Sequence, residues 1–197
     1  MKHVLVLLFI LFLSIHADLL FYDDFEDNYI GDWEERCWPA DWYCEYGQAK
    51  VTNAVHCCGL ITPGDISVQN CQLKAYGSAE HVFGVMARLD SNDNGVFGFV
   101  SPDQNVARIR LIENGSSTEF LNSIYDDFPD DDYIITFTCM NDSLHLKIEA
   151  QTSGSQWEFS AIDPNPVSGQ FGLMAGDEYQ GNWDWFSATD NSEAIIT

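Results

Sequence analysis

Hydrophobic and polar residues alternate along most of this chain with a period of two. Leu144, Leu146 and Ile148 face one side of an extended segment while His145, Lys147 and Glu149 face the other. Ile109 and Leu111 oppose Arg108 and Arg110 in the same way. A period of two with one apolar face marks a strand half covered by a second sheet. The pattern predicts strands over Leu19–Phe25, Leu60–Thr62, Ser67–Tyr76, His81–Leu89, Val96–Ser101, Val106–Glu113, Ser117–Ser123, Tyr133–Met140, Leu144–Ala150, Trp157–Ile162, Gln170–Ala175 and Trp183–Ala188. Turn clusters such as Ser91-Asn92-Asp93-Asn94-Gly95, Asn114-Gly115, Asn141-Asp142 and Ser153-Gly154 separate these runs at hairpin distances. No stretch keeps a helical period over about 11 residues, and no repeat marks a propeller or solenoid. The fold expected is all-β, a two-sheet antiparallel sandwich of the jelly-roll kind.

Lys2 and His3 precede a 12-residue apolar run, Val4 to Ile15, with a small residue, Ala17, before a cut. This order predicts a secretory signal peptide over 1–17, and the run is short of the roughly 20 residues a membrane helix needs. A single domain over 18–190 and a tail at 191–197 are expected, with no membrane insertion and a secreted, extracellular address. Composition then narrows the partners. Eight Lys and Arg stand against 31 Asp and Glu, a net charge of −23. Such a surface repels phosphate backbones and anionic membranes, which argues against nucleic acid, and it disfavours anionic glycans unless a cation bridges them. The acidic run from Asp126 to Asp132 reads most simply as a solvated turn.

Six cysteines (Cys37, Cys44, Cys57, Cys58, Cys71, Cys139) fit an exported chain with up to three disulfides, and five of them lie between positions 37 and 71. No zinc spacing competes. Asn114-Gly115-Ser116 and Asn141-Asp142-Ser143 are glycosylation sequons, relevant in a eukaryotic secretory pathway. Rings crowd the same stapled region. Trp38, Trp42 and Tyr43 sit between or beside Cys37 and Cys44, in a segment expected to be a rigid loop, where they form a candidate ligand-binding surface; core packing is the plainer alternative for each. Trp183 and Trp185 flank Asp184 and share one strand face unless a bulge separates them.

Three ordered segments carry a resemblance. Phe21-Tyr22-Asp23-Asp24-Phe25-Glu26-Asp27 is followed by Trp33; Val85–Asp90 is followed by Asn94–Ser101; Gly169–Ala175 leads to Trp183-Asp184-Trp185-Phe186. Together they resemble the opening, central and closing strands of concanavalin A-like (laminin G-like) jelly rolls. The resemblance implies a structural Ca²⁺ site, with Asp24 or Glu26, Gly47 and Asp184 as matching ligands. Asp24 and Glu26 are expected on one strand face, and mixed carboxylate and carbonyl oxygens suit Ca²⁺.

Catalytic signatures are thin. No glutamate has an aspartate two residues later, so the paired-carboxylate glucanase motif is missing, and no H-E-x-x-H or G-x-S-x-G occurs. Arg88, His81, Arg108 and Tyr133 are the residues a lyase site would need to bring together; pairing with carboxylates is the plainer reading of the arginines, and Arg88 also stands as a candidate ligand contact. Three functions stay open: a non-catalytic module for neutral carbohydrate, a polysaccharide hydrolase or lyase on the same fold, and a structural or adhesive module that binds a protein.

Overall fold

The computed structural model describes residues 18–37, 40–53, 58–64, 66–79, 82–176 and 181–191. The segment 1–17, Trp38, Cys57 and His81 lie outside them. Strand follows strand: β1 (Leu19–Asp23), β2 (Glu34–Cys37), β3 (Asp41–Glu45), β4 (Gln48–Thr52), β5 (Cys58–Ile61), β6 (Cys71–Ala79), β7 (Phe83–Leu89), β8 (Gly95–Ser101), β9 (Val106–Glu113), β10 (Ser116–Tyr125), β11 (Asp132–Met140), β12 (Ser143–Ala150), β13 (Gln156–Ile162), β14 (Gln170–Ala175) and β15 (Gly181–Asp190). The only helical element among the described residues is a short 3₁₀ turn, Pro102–Gln104. No helix among them is long and apolar enough to cross a membrane.

The strands form two antiparallel sheets. One runs β13-β12-β11-β6-β15-β4-β3, with β1 added along the far half of β15; the other runs β10-β9-β8-β7-β14-β5-β2. Alternation explains the interface. Leu144, Leu146 and Ile148 of β12 and Tyr133, Ile135 and Phe137 of β11 enter the main core, where they meet Phe83, Val85 and Ala87 of β7 and Phe171 and Leu173 of β14. The seven-stranded sheet also buries its outer face. Ile61, Met86, Leu89, Phe97, Phe99, Ile112 and Met174 form a second cluster there. A strand covered on both faces reads as a continuous apolar run, which is why Phe83–Leu89 has no polar alternation.

Two expectations fail locally. The segment between Cys37 and Cys44 is not a loop throughout: Asp41–Glu45 is strand β3, paired in register with β4. Asp24 and Glu26 do not share a strand face. β1 ends at Asp23, and between the two acids the left-handed Phe25 (φ 55°) turns its ring into the core.

The bulge that decides the fate of Trp183 and Trp185 is present. The β15–β6 register shifts between them, with Trp183 opposite Gly77 and Trp185 opposite Tyr76. Trp183 is therefore buried, stacked on Phe83 with ring centroids 5.6 Å apart. Trp185 is half-buried beside Tyr76, 6.2 Å away. An extra residue on one strand of a ladder reverses the side-chain parity beyond it.

Candidate functional site

A second bulge builds the floor of a cleft. In the β7–β14 ladder Leu89 opposes Gln170 and Met86 opposes Gly172, so two residues of β7, Ala87 and Arg88, face one of β14. Arg88 takes a left-handed backbone conformation (φ 59°). The close approach needs a glycine: a Cβ on Gly169 would stand 2.3 Å from the Arg88 carbonyl carbon. The Arg88 side chain thereby leaves the outer face and enters one end of the sandwich. There it donates to the Gln69 carbonyl at 2.9 Å, to Asp163 at 2.6 Å and to the Asn141 carbonyl. Arg88 and Asp163 are only 1% and 4% exposed. Each nitrogen of this guanidinium thus spends one of its N–H groups on the protein, three of the five in all, and Arg88 supports the cleft from beneath.

The rim comes from three loops. In the β7–β8 hairpin the Asp90 carboxylate accepts from the Asn92 and Asn94 backbone N–H groups at 2.7 and 3.0 Å and from the Asn94 amide at 3.0 Å. Burial works to raise the Asp90 pKa. The Asn94 side chain, the two backbone N–H groups and the Arg36 charge outweigh it and hold the carboxyl below its ordinary range. Arg36 fastens the hairpin, bonding Asp93 at 2.8 Å and the Asp90 carbonyl at 2.9 Å. The Asn94 side chain in turn accepts from the Asn114 N–H of the β9–β10 turn at 2.9 Å. The third loop follows β13, where Asp163 accepts from the Asn165 N–H at 3.0 Å.

Between these loops lies a half-open cleft of about 480 Å³. Its polar lining includes Asp90, Asn94, Glu113, Asn114 and Asn165; Val96, Leu111, Ile112, Pro164 and Val167 supply aliphatic surface. Among the described residues, no aromatic ring lines it. Such a cleft can accept from and donate to several hydroxyls over an apolar wall, at positions fixed before a ligand arrives. The sequence placed Asn94 in a turn cluster and Asp90 at the end of a segment that carries the family resemblance, and it gave no signal for Asp163 or Asn165; an aspartate accepting from residues two and four ahead is the one local cue.

The other candidate residues lie elsewhere. Trp42 is half-buried on β3 and packs on Trp183 at 5.2 Å, against the main core. Tyr43 is 39% exposed on the same strand. Glu26 meets Gly47, and Asp184 is reached through the side chain of the residue that follows. A Cβ on Gly47 (φ +70°) would stand 3.3 Å from the Glu26 carboxylate, and the next residue, Gln48, donates to Asp184 at 2.8 Å. Asp24 instead accepts from the Glu26 N–H at 3.4 Å. Among the described residues no three His, Cys, Asp or Glu side chains converge as a metal-binding group. Arg88, Arg108 and Tyr133 do not converge either: Tyr133 is buried in the main core, with its hydroxyl donating to the Pro129 carbonyl, and Arg108 lies over Phe120, with ring centroid and guanidinium 4.7 Å apart.

No protein-family model matches the chain, and no curated protein matches it by sequence. Solved structures do match in shape. The carbohydrate-binding module CBM66 from Bacillus subtilis superposes with a TM-score of 0.64 at 13% identity, over 77% of this chain and 91% of that one. The fold is the concanavalin A-like jelly roll. The exoplasmic/lumenal domain of VIP36, in a form with Ca²⁺ and Man2 bound, gives 0.61 at 10% identity over 84% and 86%. Arcelin-5, a lectin-like defense protein from Phaseolus vulgaris, gives 0.62 at 10% identity over 87% and 97%. At such identities the likeness concerns the fold; function rests on this chain's own residues.

Proposed function

We propose that this jelly roll is a secreted carbohydrate-binding module that takes a neutral saccharide in the cleft above Arg88. The cleft carries the reading: preset carboxylate and amide groups face an aliphatic wall at the loop end of the sandwich. Hydroxyl groups donate to Asp90 and Glu113 and exchange hydrogen bonds with the Asn114 and Asn165 amides, while sugar C–H faces lie on Leu111 and Val167. The neighbours in shape, a carbohydrate-binding module, a domain solved with Man2 bound and a lectin-like defense protein, support the class of ligand. The test is a screen of the purified chain against immobilised neutral glycans, followed by Asn165→Ala. Losing one ligand hydrogen bond weakens affinity by about 0.5–1.5 kcal/mol. Binding unchanged in Asn165→Ala and in Glu113→Gln places the ligand elsewhere, and release of reducing or unsaturated sugar products moves the assignment to an enzyme.

A structural Ca²⁺ belongs to the same proposal. The donor set fits a hard cation: the Glu26 and Asp184 carboxylates and the Gly47 carbonyl come from three separate segments joined by one turn. Bound there, the ion would tie the turn after β1 to β4 and β15. VIP36 has been solved in Ca²⁺-bound forms, which supports the reading without assigning these ligands.

A further inference from the structure

Cys71 and Cys139 meet across two neighbouring strands. They are Cα partners at the end of the β6–β11 ladder, both are fully buried in the main core, and both stand as free thiols in this structure. Directly opposed residues on antiparallel strands have Cα atoms about 4.5–5.5 Å apart, within the span a disulfide bridges. We propose that Cys71 and Cys139 are joined by a cross-strand disulfide in the mature protein, clamping the strand ends that hold Arg88 beneath the cleft. Gln69 lies just before Cys71 and Asn141 just after Cys139, and both their carbonyls accept from Arg88. The bond therefore joins the two segments that grip the guanidinium. It rests on strand register and burial, and stands whether or not the cleft binds a saccharide.

The chemistry balances by exchange with the disulfide of a thiol oxidant, such as oxidised glutathione or an oxidoreductase. Two S–H bonds break and one Sγ–Sγ bond forms, and the two protons and two electrons reduce the oxidant's disulfide to two thiols. Timing follows from burial. Thiolate is the attacking form. Burial, then the adjacent Cys71 thiol, push the Cys139 pKa well up, with Asp163 acting in the same sense and Arg88 opposing. Exchange thus runs before the two sheets close over the pair. Once formed, the bond is out of reach of reductant until the sandwich opens.

Peptide mapping of the exported protein tests this. The protein is unfolded in guanidinium with iodoacetamide and no reductant, digested, and analysed by mass spectrometry. The expected result is a linked pair of peptides carrying Cys71 and Cys139, neither alkylated. Alkylation of both, or linkage of either to another cysteine, overturns the proposal. A second arm measures melting in dithiothreitol. The parent loses roughly 5–15 °C, whereas Cys71→Ala/Cys139→Val, with its buried volume largely kept, loses much less. A loss as large in the variant as in the parent overturns the assignment.

Discussion

The Arg88–Asp163 pair permits the sharpest test of how the cleft floor is built. Asp163→Asn keeps the shape of the side chain but removes its charge, leaving Arg88 charged at 1% exposure. Breaking a buried pair from one side costs about 3–5 kcal/mol, because the surviving charge stays desolvated. Arg88→Met should fall at the upper end of that range. It strands the buried Asp163 carboxylate and also removes the Arg88 donors from the Gln69 and Asn141 carbonyls, which are partly open to water. In a chain of this size the single variants should melt roughly 6–20 °C below the parent. Urea unfolding followed by tryptophan fluorescence gives the free energies directly, provided the slope against urea is unchanged. The double variant Arg88→Met/Asp163→Asn should lose clearly less than the two singles summed, with a coupling of at least about 2 kcal/mol. If either single variant stays within about 0.5 kcal/mol of the parent, or the double equals the sum of the singles, the pair is not a buried structural clamp. Arg88 would then be free to meet a ligand itself.

Other consequences follow from the same geometry. Trp42→Ala removes a ring packed at a tilt against Trp183 and should lower stability by about 2–3 kcal/mol in urea unfolding, whereas Asn165→Ala should leave the melting temperature unchanged. After chelation, millimolar Ca²⁺ at matched ionic strength should raise the melting temperature, by about 2.7 kcal/mol of added stability at a hundredfold excess over Kd, and Asp184→Ala should abolish the response. Asp131 is buried, and that burial works to raise its pKa; hydrogen bonds from the Ser153, Thr152 and Asp132 N–H groups outweigh it and hold the carboxyl low. Its contribution is therefore fully present above the ordinary carboxylate value near ~4 and is lost as pH falls through the lower folded value. Asp131→Asn should cost about 1–2 kcal/mol at neutral pH and flatten the acid limb of a stability–pH curve.

The fold was legible because burial leaves a periodic trace. The runs Val106–Glu113 and Gln170–Ala175 match β9 and β14 residue for residue, and β12 needs only Ser143 added. The missed strands are β2 to β4, where Glu34-Glu35-Arg36 and Gln48-Ala49-Lys50 carry charge on short segments near the sheet edges. Such strands are held by their neighbours' ladders, and their own sequence says little. The two bulges were illegible for a related reason. A shift in register at Arg88 or Asp184 changes which face a residue takes without changing composition, and the close backbone approach that permits the first depends on Gly169, far away in sequence. The cleft was harder still. Its rim joins Asp90 and Asn94 to Asn114 and Asn165 across three loops, and each segment alone looks like any polar turn.

Charge decides which saccharides this cleft can favour, and ionic strength exposes that choice. The Arg88–Asp163 pair cancels locally, so the rim potential is set by Asp90, which is held ionised, by Glu113, and by a chain of net charge −23. Hydroxyls entering such a site act as donors to carboxylates, whereas a uronate would bring like charge to them. A neutral saccharide should therefore keep its Kd within about twofold between 10 and 500 mM NaCl in calorimetry, since no net charge is paired on binding. An anionic saccharide of the same ring should bind more weakly throughout and improve as salt is added, because the Debye length shrinks from about 30 Å at 0.01 M to about 8 Å at 0.15 M and screens the repulsion. The opposite trend, an anionic sugar bound most tightly at low salt, would mean that a cationic surface makes the contact. The strand-borne Arg108 and Arg110, stacked on Phe120 at the outer face of the seven-stranded sheet, would then be the place to look.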